Sequence, residues 1–471
     1  MRNDAFDSKQ FNENRQNYEK AIEKGEHIFL DADDLSELAD YYQLHNSFDK
    51  AKEVSQYALK LFPQSDSILL LNANITLTTD GDLEEAKKYI EAVGNKNDVE
   101  YHLINAEIML FEGENLNTDK YLQEVYHSLP KNERAPFILD VCELFIIHNY
   151  IDIAEKWHKK YLGDDEDHLE LSARIHFAHA DYNKCINILN SLLDNHPYEE
   201  FLWCMLAKAQ YMISDFDGAI SSCDFAIAIE PENSEALQIK AYTLYTLENY
   251  TDAIEYYMRY LRIFPNDIKC NEYIAFCYIQ TSKPDKAIPH LLSVIDSYKE
   301  DIEEKNEVYR SLAFAYSGIN ETDKAIEALD NIDYDWKSAA YIDMLKGHIY
   351  LENGRKEEAI NHFELAILNS TESPEILIDI ALSLSDNGYY ENAYKIATFY
   401  MNQTSVNDAK GQAVYALISY RLGKHQDFLM ALKNAVDNDP EAAKSILLDI
   451  FPEGLHPEEY YQYAIKKKIK K

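Results

Sequence analysis

The chain has 471 residues, of which 46% are hydrophobic and 12% aromatic, and this apolar content excludes global disorder. Lys and Arg total 45 against 83 Asp and Glu, so the formal net charge is −38. A body this acidic repels the phosphates of DNA and RNA, and we expect no nucleic-acid partner. The acidity serves solubility or attracts a basic partner, and composition leaves both readings open.

Compartment and redox state follow from what the chain lacks. The N-terminus has no apolar run of signal-peptide length, and no later stretch reaches the roughly 18 apolar residues of a membrane span. We therefore expect a cytoplasmic protein with no membrane segment. None of the six cysteines forms a Cys-x-x-Cys pair, which favours free buried thiols over a zinc site or a disulfide framework.

The first 31 residues are polar and predict an N-terminal capping helix. Tyr18, Ile22, Ile28 and Phe29 are available there to cover the element that follows. From residue 32 to 442 a pattern then recurs every 34 residues, visible in Ala219-Ile220, Ala253-Ile254 and Ala287-Ile288. A fixed period of this length indicates one small helical unit copied many times, hence a stack of units rather than a globule.

Residues 234–267 illustrate the unit. Leu237, Ala241 and Leu244, at positions 4, 8 and 11, form one face of a first helix, and Ala253 and Tyr257, at positions 20 and 24, belong to a second. Small residues at positions 8 and 20 allow the two helices to approach closely. Position 15 holds Gly or Asn in eight units, the residue types that tolerate the left-handed conformation ending a helix: Asn46, Gly81, Gly113, Asn149, Asn320, Gly354, Gly388 and Gly423.

Two regions depart from this pattern. The units near 99–165 are degenerate, with Thr118 at position 20 of the first, and a charged insert, Ser297–Asn306, widens the spacing within 297–339. The insert bends the array or is a neutral surface insertion. Residues 443–471 predict C-terminal capping helices, and the basic tail Lys466–Lys471 is a solvated helix end or docks on an acidic surface.

The pattern resembles the tetratricopeptide repeat family, with its small residues at 8 and 20, an aromatic at 17 and Pro at 32. Position 17 is matched by Phe48, Tyr182, Phe216, Tyr250 and Tyr390, and position 32 by Pro63, Pro130, Pro197, Pro231, Pro265 and Pro440. The resemblance implies an all-α fold, a right-handed superhelical solenoid of about twelve antiparallel helix pairs with capping helices at both ends. It also implies a protein–protein interaction scaffold or peptide-binding protein.

In that family, positions 2, 5, 9 and 12 of the first helix line the concave groove; we call them the first-helix stripe. Across the central units aromatic and basic residues, the types enriched at binding hot spots, occupy it. These rings bind a partner segment or pack against one another, and both interpretations stand. The predicted groove residues are Arg174, Phe177, Phe201, Lys208, Tyr211, Tyr242, Tyr245, Phe276, Arg310 and Phe314.

Enzyme signatures are lacking. The sequence has no P-loop, G-x-S-x-G, H-E-x-x-H or G-x-G-x-x-G motif, so we expect no catalytic activity and no cofactor. His176 and His179 lie one helical turn apart with Asp181 nearby, a weak metal signal, and we expect no metal. The alternative to a groove-binding scaffold is an assembly or regulatory subunit that uses its convex face or caps. The sequence indicates neither the partner's identity nor the oligomeric state.

Overall fold

Helices and their connections make up all of the chain that the structure describes, and no β-strand occurs there. The computed structural model describes residues 6, 8–44, 47–163, 165–298, 301–333, 339–369, 375–403, 408–452 and 454–467. The chain divides into two compact units, Met1–Pro231 and Glu232–Lys471, which we name the N-unit and the C-unit.

The N-unit has one initial helix followed by six antiparallel pairs. In every pair the even-numbered helix comes first in the chain. The helices are α1 (Lys9–Lys24), α2 (Ala32–Leu44), α3 (Phe48–Leu61), α4 (Asp66–Ile75), α5 (Leu83–Ala92), α6 (Val99–Phe111), α7 (Asn115–Ser128), α8 (Arg134–Ile147), α9 (Ile151–His158), α10 (Glu166–Ala178), α11 (Tyr182–Asn195), α12 (Glu200–Met212) and α13 (Phe216–Ile229).

The C-unit has six further pairs and two closing helices. These are α14 (Ser234–Thr246), α15 (Tyr250–Ile263), α16 (Ile268–Gln280), α17 (Pro284–Val294), α18 (Ile302–Gly318), α19 (Thr322–Asp330), α20 (Ala339–Glu352), α21 (Lys356–Asn369), α22 (Ile376–Asp386), α23 (Tyr390–Met401), α24 (Ala409–Arg421), α25 (His425–Asn438), α26 (Pro440–Leu447) and α27 (Tyr460–Lys467). The described residues therefore contain the twelve helix pairs that the period predicts, and the all-α repeat fold is confirmed.

Small residues at positions 8 and 20 set the distance between paired helices. Ala219, Ala253 and Ala287 have no exposed surface, as the register predicts. Gly347 takes position 8 of its pair because a Cβ there would lie 2.6 Å from the Phe363 ring. These contacts confirm the 34-residue register, since a shifted register would place larger side chains at the crossings.

The degenerate pair α6–α7 keeps the same construction. Thr118 is fully buried at position 20, and its hydroxyl donates to the backbone carbonyl of Glu114 at 2.9 Å. A threonine is tolerated at this crossing because its only polar atom is satisfied within its own helix.

Position 15 adopts the left-handed conformation wherever it is described. The predicted Gly and Asn residues have φ from 61° to 82°, and Asn46 lies outside the described residues. The same conformation occurs at position 15 of four central pairs, although the residue types there do not favour it: Ala180, Ser214, Glu248 and Ser282, with φ from 56° to 63°. In each, the turn between the paired helices imposes a conformation that costs a residue with a Cβ about 1–2 kcal/mol.

One irregularity was absent from the predicted pattern. The α4 helix continues into a π-helical turn, Thr76–Asp80, before Gly81 ends it. Ala73 is fully buried and Asn74 half-buried, so the small residue lies eight positions before Gly81 instead of seven. The wide turn absorbs the extra residue and restores the register.

The charged insert lengthens α18 at its beginning and is fastened to α16. The Tyr298 hydroxyl donates to Glu272 Oε1 at 2.6 Å, and Lys269 Nζ donates to Glu304 Oε2 at 3.1 Å. Residues 299–300 of the insert lie outside the described part of the chain.

The two ends behave differently from the pairs between them. Phe11 and Tyr18 of α1 are buried in the same cluster as Leu35 and Leu38 of α2. The expectation that Phe29 also covers this pair is wrong, because the chain leaves the helix at Gly25 and Phe29 is 94% exposed. At the other end, the Phe451 and Tyr460 rings stack 3.9 Å apart, and residues 468–471 of the basic tail lie outside the described residues.

No helix in the described part of the chain is both long enough and apolar enough to cross a bilayer.

The buried crossings predict the effect of overfilling one of them. Ala253→Phe should lower stability by about 1–3 kcal/mol or more, because a ring cannot fit where the helices touch. Thr251→Phe is the control, since Thr251 is exposed two residues earlier on α15. Thermal unfolding followed by circular dichroism measures both, and equal melting temperatures for the two variants would contradict the register.

The pair boundaries predict how the chain tolerates shortening. A chain that ends at Asn233 keeps α12 and α13 together and should remain folded, because repeat arrays are stabilised by neighbouring contacts. A chain that ends at Phe216 leaves α12 without its partner and should lose helix beyond the deleted residues. Circular dichroism compares the helical content per residue, and identical unfolding of the two chains would refute these boundaries.

The strained turns predict a stabilising substitution. Ala180→Gly should raise stability by about 0.5–1 kcal/mol, because glycine has no Cβ to clash at positive φ. Ala178→Gly is the matched control at the end of α10, where helical backbone makes glycine unfavourable. Denaturant unfolding should move the two midpoints in opposite directions, and destabilisation by both would contradict the assigned turn.

Candidate partner-binding surface

The ten predicted groove residues all lie on first helices. The N-unit contributes Arg174 and Phe177 on α10 and Phe201, Lys208 and Tyr211 on α12. The C-unit contributes Tyr242 and Tyr245 on α14, Phe276 on α16, and Arg310 and Phe314 on α18.

In the N-unit, two of the predicted rings pack against the helix that follows. Phe177 lies 5.4 Å from Tyr182, and Tyr211 lies 5.5 Å from Phe216, in both cases between ring centroids. Phe201 is 37% exposed and Lys208 is exposed. The stripe of this unit therefore combines rings that support the pair with side chains that solvent or a partner can reach.

The cation predicted in α10 is already paired. Arg174 Nη1 donates to Glu143 Oε1 at 2.9 Å, a contact that joins α10 to α8. Two other carboxyl groups of these helices, Asp140 and Glu170, have raised pKa values because the surrounding protein partly removes them from water. This part of the N-unit is acidic, since its arginine neutralises one of three carboxylates.

In the C-unit, five rings form a connected group that we name the aromatic patch: Tyr242, Tyr245, Tyr250, Tyr273 and Phe276. Tyr245 is its centre, 5.1 Å from Tyr273, 5.5 Å from Phe276 and 6.0 Å from Tyr250 between centroids. Tyr242 meets Tyr273 at 5.7 Å. These separations are those of favourable edge-to-face and offset ring pairs.

The aromatic patch is packed and accessible at once. Tyr242 is 38% and Phe276 is 40% exposed, although each contacts other rings. Tyr245 is half-buried, and burial raises the pKa of its hydroxyl. Below the patch, the buried Tyr257 stacks on Tyr273 at 5.5 Å. The rings therefore support each other and leave surface open, and partner binding on this stripe stays a prediction.

Two members of the patch were outside the predicted groove. Tyr250 is the position 17 aromatic of its unit, and Tyr273 stands at position 6 of the next. Position 6 is not on the first-helix stripe, but Tyr273 reaches the stripe residue Tyr242 of the preceding pair. The available signal was an aromatic at position 6 of one unit, Tyr273, following an aromatic at position 9 of the unit before it, Tyr242.

The last two predicted residues lie on α18 and have partners on α20. Arg310 forms an ion pair with Glu307 and reaches the Tyr341 hydroxyl at 3.4 Å. Phe314 is 37% exposed, and its ring lies 6.3 Å from that of His348. Arg310 therefore holds neighbouring repeats together and has its charge matched by the chain.

A small polar network fixes His348. Its Nδ1 is hydrogen-bonded to Ser383 Oγ at 2.7 Å, and its Nε2 lies 3.3 Å from Glu352 Oε1. The hydrogen bond with His348 lowers the pKa of Glu352. Ser383 is buried on α22, so the network fastens neighbouring first helices to each other.

The weak metal signal in the sequence falls near one possible ligand group. Among the described residues, ligand atoms of Asp152, Glu155 and His179 lie within 4.8 Å of one another. Glu155 Oε1, however, accepts from Lys159 Nζ at 2.7 Å, and Lys159 is the main cause of the lowered pKa of Glu155. His176 instead faces Asp181 at 3.6 Å. An ammonium group already pairs with one of the two carboxylates of this cluster, and we assign it no metal.

Solved helical-repeat proteins are similar to this chain at low identity. A MamA crystal structure is 20% identical, with a TM-score of 0.33, over 37% of this chain and 94% of that one. MamA from Desulfovibrio magneticus RS-1, from residue 41 to its end, is 18% identical, with a TM-score of 0.31, over 37% and 97%. A chain of the APC/C hetero-tetramer Cut9-Hcn1 is 14% identical, with a TM-score of 0.30, over 89% and 90%.

Family models match two parts of the chain, whereas no curated protein matches it. The model described as anaphase-promoting complex, cyclosome, subunit 3 matches residues 212–294, which include the whole aromatic patch. The tetratricopeptide repeat model matches residues 344–370, which comprise most of the α20–α21 pair. Repeats of this kind form protein-interaction scaffolds. The 34-residue register, the paired helices and these two matches together show that the chain is built of tetratricopeptide-like repeats.

Proposed function

We propose that the chain binds a segment of a partner protein on its first-helix stripe and has no catalytic step of its own. The observation that carries the proposal is the aromatic patch, whose rings are packed together yet partly open. Exposed aromatic rings bury much apolar area on binding and lose few rotors, which is why they are enriched at binding hot spots.

The packing of the patch supports a binding role. Tyr245 holds Tyr242 and Phe276 in place through ring contacts at 6.1 and 5.5 Å. Because the rings are already ordered, little conformational entropy is lost when a partner covers them. Phe314 extends the apolar surface onto α18, and Phe201 with Lys208 provides a separate accessible surface in the N-unit.

The partner we propose is a protein, and the compartment is the cytoplasm. All six cysteines are buried and outside any disulfide, a state that a reducing compartment maintains. The family model over residues 212–294 describes a subunit of a multiprotein complex, which is consistent with a protein partner. The charge of −38 disfavours nucleic acid and anionic membrane surfaces.

A second candidate function, assembly through the second helices, is favoured by one observation. Large apolar side chains are exposed on α21, α23 and α25, among them Leu368 at 72%, Met430 at 56% and Phe399 at 53%. In this reading the chain is a structural or regulatory subunit, and the first-helix stripe serves packing. The two candidates place the partner on different helices, so matched substitutions can separate them.

Capture of partners from the native host, followed by mass spectrometry, supplies the ligand for this test. Tyr242→Ala combined with Phe276→Ala should then weaken binding of the captured partner by about 2 kcal/mol or more, roughly 30-fold in Kd, if the patch is a hot spot. Calorimetry or anisotropy measures the affinity. The melting temperature should fall only modestly, because both rings are already part-exposed.

The matched control removes exposed apolar side chains from second helices. Met258→Ala combined with Phe399→Ala deletes comparable area on α15 and α23 and should leave the affinity unchanged. If the control pair weakens binding and the patch pair does not, assembly through the second helices is the better account. A patch variant that melts early yet binds fully would show that these rings only pack.

A further inference from the structure

The helices that carry the aromatic patch, and the next first helix, also carry carboxylates. Glu248 occupies the turn between α14 and α15, where its charge adds to burial in raising the pKa of the Tyr250 hydroxyl. Glu272 lies on α16 one helical turn before Phe276, and Glu307 lies at position 2 of the next repeat, on α18. Together with Glu304, these carboxylates outnumber the two cations that pair with them, Lys269 and Arg310, so a partner segment here meets a net negative charge.

The cations of the same stripe are already paired and are not readily available to acidic groups of a ligand. In the C-unit the stripe positions hold three cations, and each is bonded to a carboxylate of this chain. Lys269 lies 3.1 Å from both Glu272 and Glu304, Arg310 pairs with Glu307, and Lys410 lies 2.9 Å from Asp379. Acidic groups of a ligand would have to displace these partners before they could use the cations.

Tyrosine rings offer a second attraction for positive charge. The face of an aromatic ring is negative and binds ammonium and guanidinium groups. This chain already makes such contacts, with Lys240 Nζ 4.2 Å from the Tyr256 centroid and Lys356 Nζ 4.6 Å from that of Tyr389. Lys and Arg also have apolar stems that can lie on exposed rings.

From these observations we infer that the segment that binds the aromatic patch is basic and amphipathic, with Lys or Arg among its apolar side chains. The inference rests on the proposed function and adds the charge of the ligand to it. Apolar side chains of the segment cover Tyr242 and Phe276, while its cations lie over ring faces and near the carboxylates. Net charge acts in the same direction, since the body carries −38.

Three synthetic peptides test the charge of the ligand. They share one set of Leu and Phe positions and carry Lys, Gln or Glu at all remaining positions. Fluorescence anisotropy with the full chain should show the Lys peptide binding at least about tenfold more tightly than the Gln peptide, with the Glu peptide weakest. Binding of the Lys peptide should weaken as salt is added.

Two single variants test whether the peptide is on the patch. Phe276→Ala should weaken binding of the Lys peptide several-fold, whereas Phe399→Ala, on a second helix, should leave that affinity unchanged. Circular dichroism of each variant establishes that it is folded at the assay temperature. A Lys peptide that binds both variants equally is attracted by the acidic body alone, and the inference fails.

Two pairs of charge variants separate local from overall charge. Glu248→Gln combined with Glu307→Gln removes the carboxylate that acts on Tyr250 and the ion-pair partner of Arg310, and it should weaken binding of the Lys peptide by about three- to tenfold. The control, Glu255→Gln combined with Glu321→Gln, removes the same charge from exposed positions on α15 and before α19, and Glu321 likewise has an ion-pair partner, Lys324. Equal losses in both pairs would assign the effect to net charge and overturn the inference.

The failure of this inference is distinguishable from failure of the proposed function. If the Gln peptide binds as tightly as the Lys peptide, and Phe276→Ala weakens both, the patch binds a partner whose charge is immaterial. If Phe276→Ala and the double patch variant leave the affinities for the captured partner and for all three peptides unchanged, the proposed function itself is wrong.

Discussion

Close approach of two helices at positions 8 and 20 is the contact on which the rest of the fold depends. Ala241 on α14 and Ala253 on α15 occupy these positions in one pair, and neither has exposed surface. Larger side chains can then interlock on either side of the crossing. Because each crossing recurs at a fixed interval, a change at one of them is felt mainly by neighbouring pairs.

Much of this architecture could be predicted, because small residues and helix stops are informative when they recur. The spacing of Ala219, Ala253 and Ala287 was sufficient to number the repeats, and the numbering located Gly113 and Asn149 in left-handed turns. Ala180 and Glu248 adopt the same conformation, but their residue types have no such preference. In those pairs the geometry of the turn overrides the preference of the residue for negative φ. The sequence of one unit does not indicate this.

The candidate site was predictable in position but not in its contacts. The period places Tyr242 and Phe276 on one face of successive first helices, whereas the contact of Phe276 with Tyr245 depends on how neighbouring pairs stack. The pairing of Arg174 with Glu143 was also missed. Both stand at position 9 of consecutive units, so opposite charges at one repeat position were the usable signal. When its repeat is considered without Glu143 of the preceding one, Arg174 is predicted to be available to a ligand.

The burial of the thiols has a consequence for the ageing of the molecule. Cys142, Cys185 and Cys270 are buried, and burial raises their pKa to about 12, 11 and 12, so the reactive thiolate is scarce while the helices are packed. A molecule whose central helices come apart exposes several such thiols together and restores their ordinary acidity. Oxidative cross-linking then selects damaged copies and spares intact ones. In this chain, resistance to oxidation is a property of folded helices rather than of the cysteines themselves.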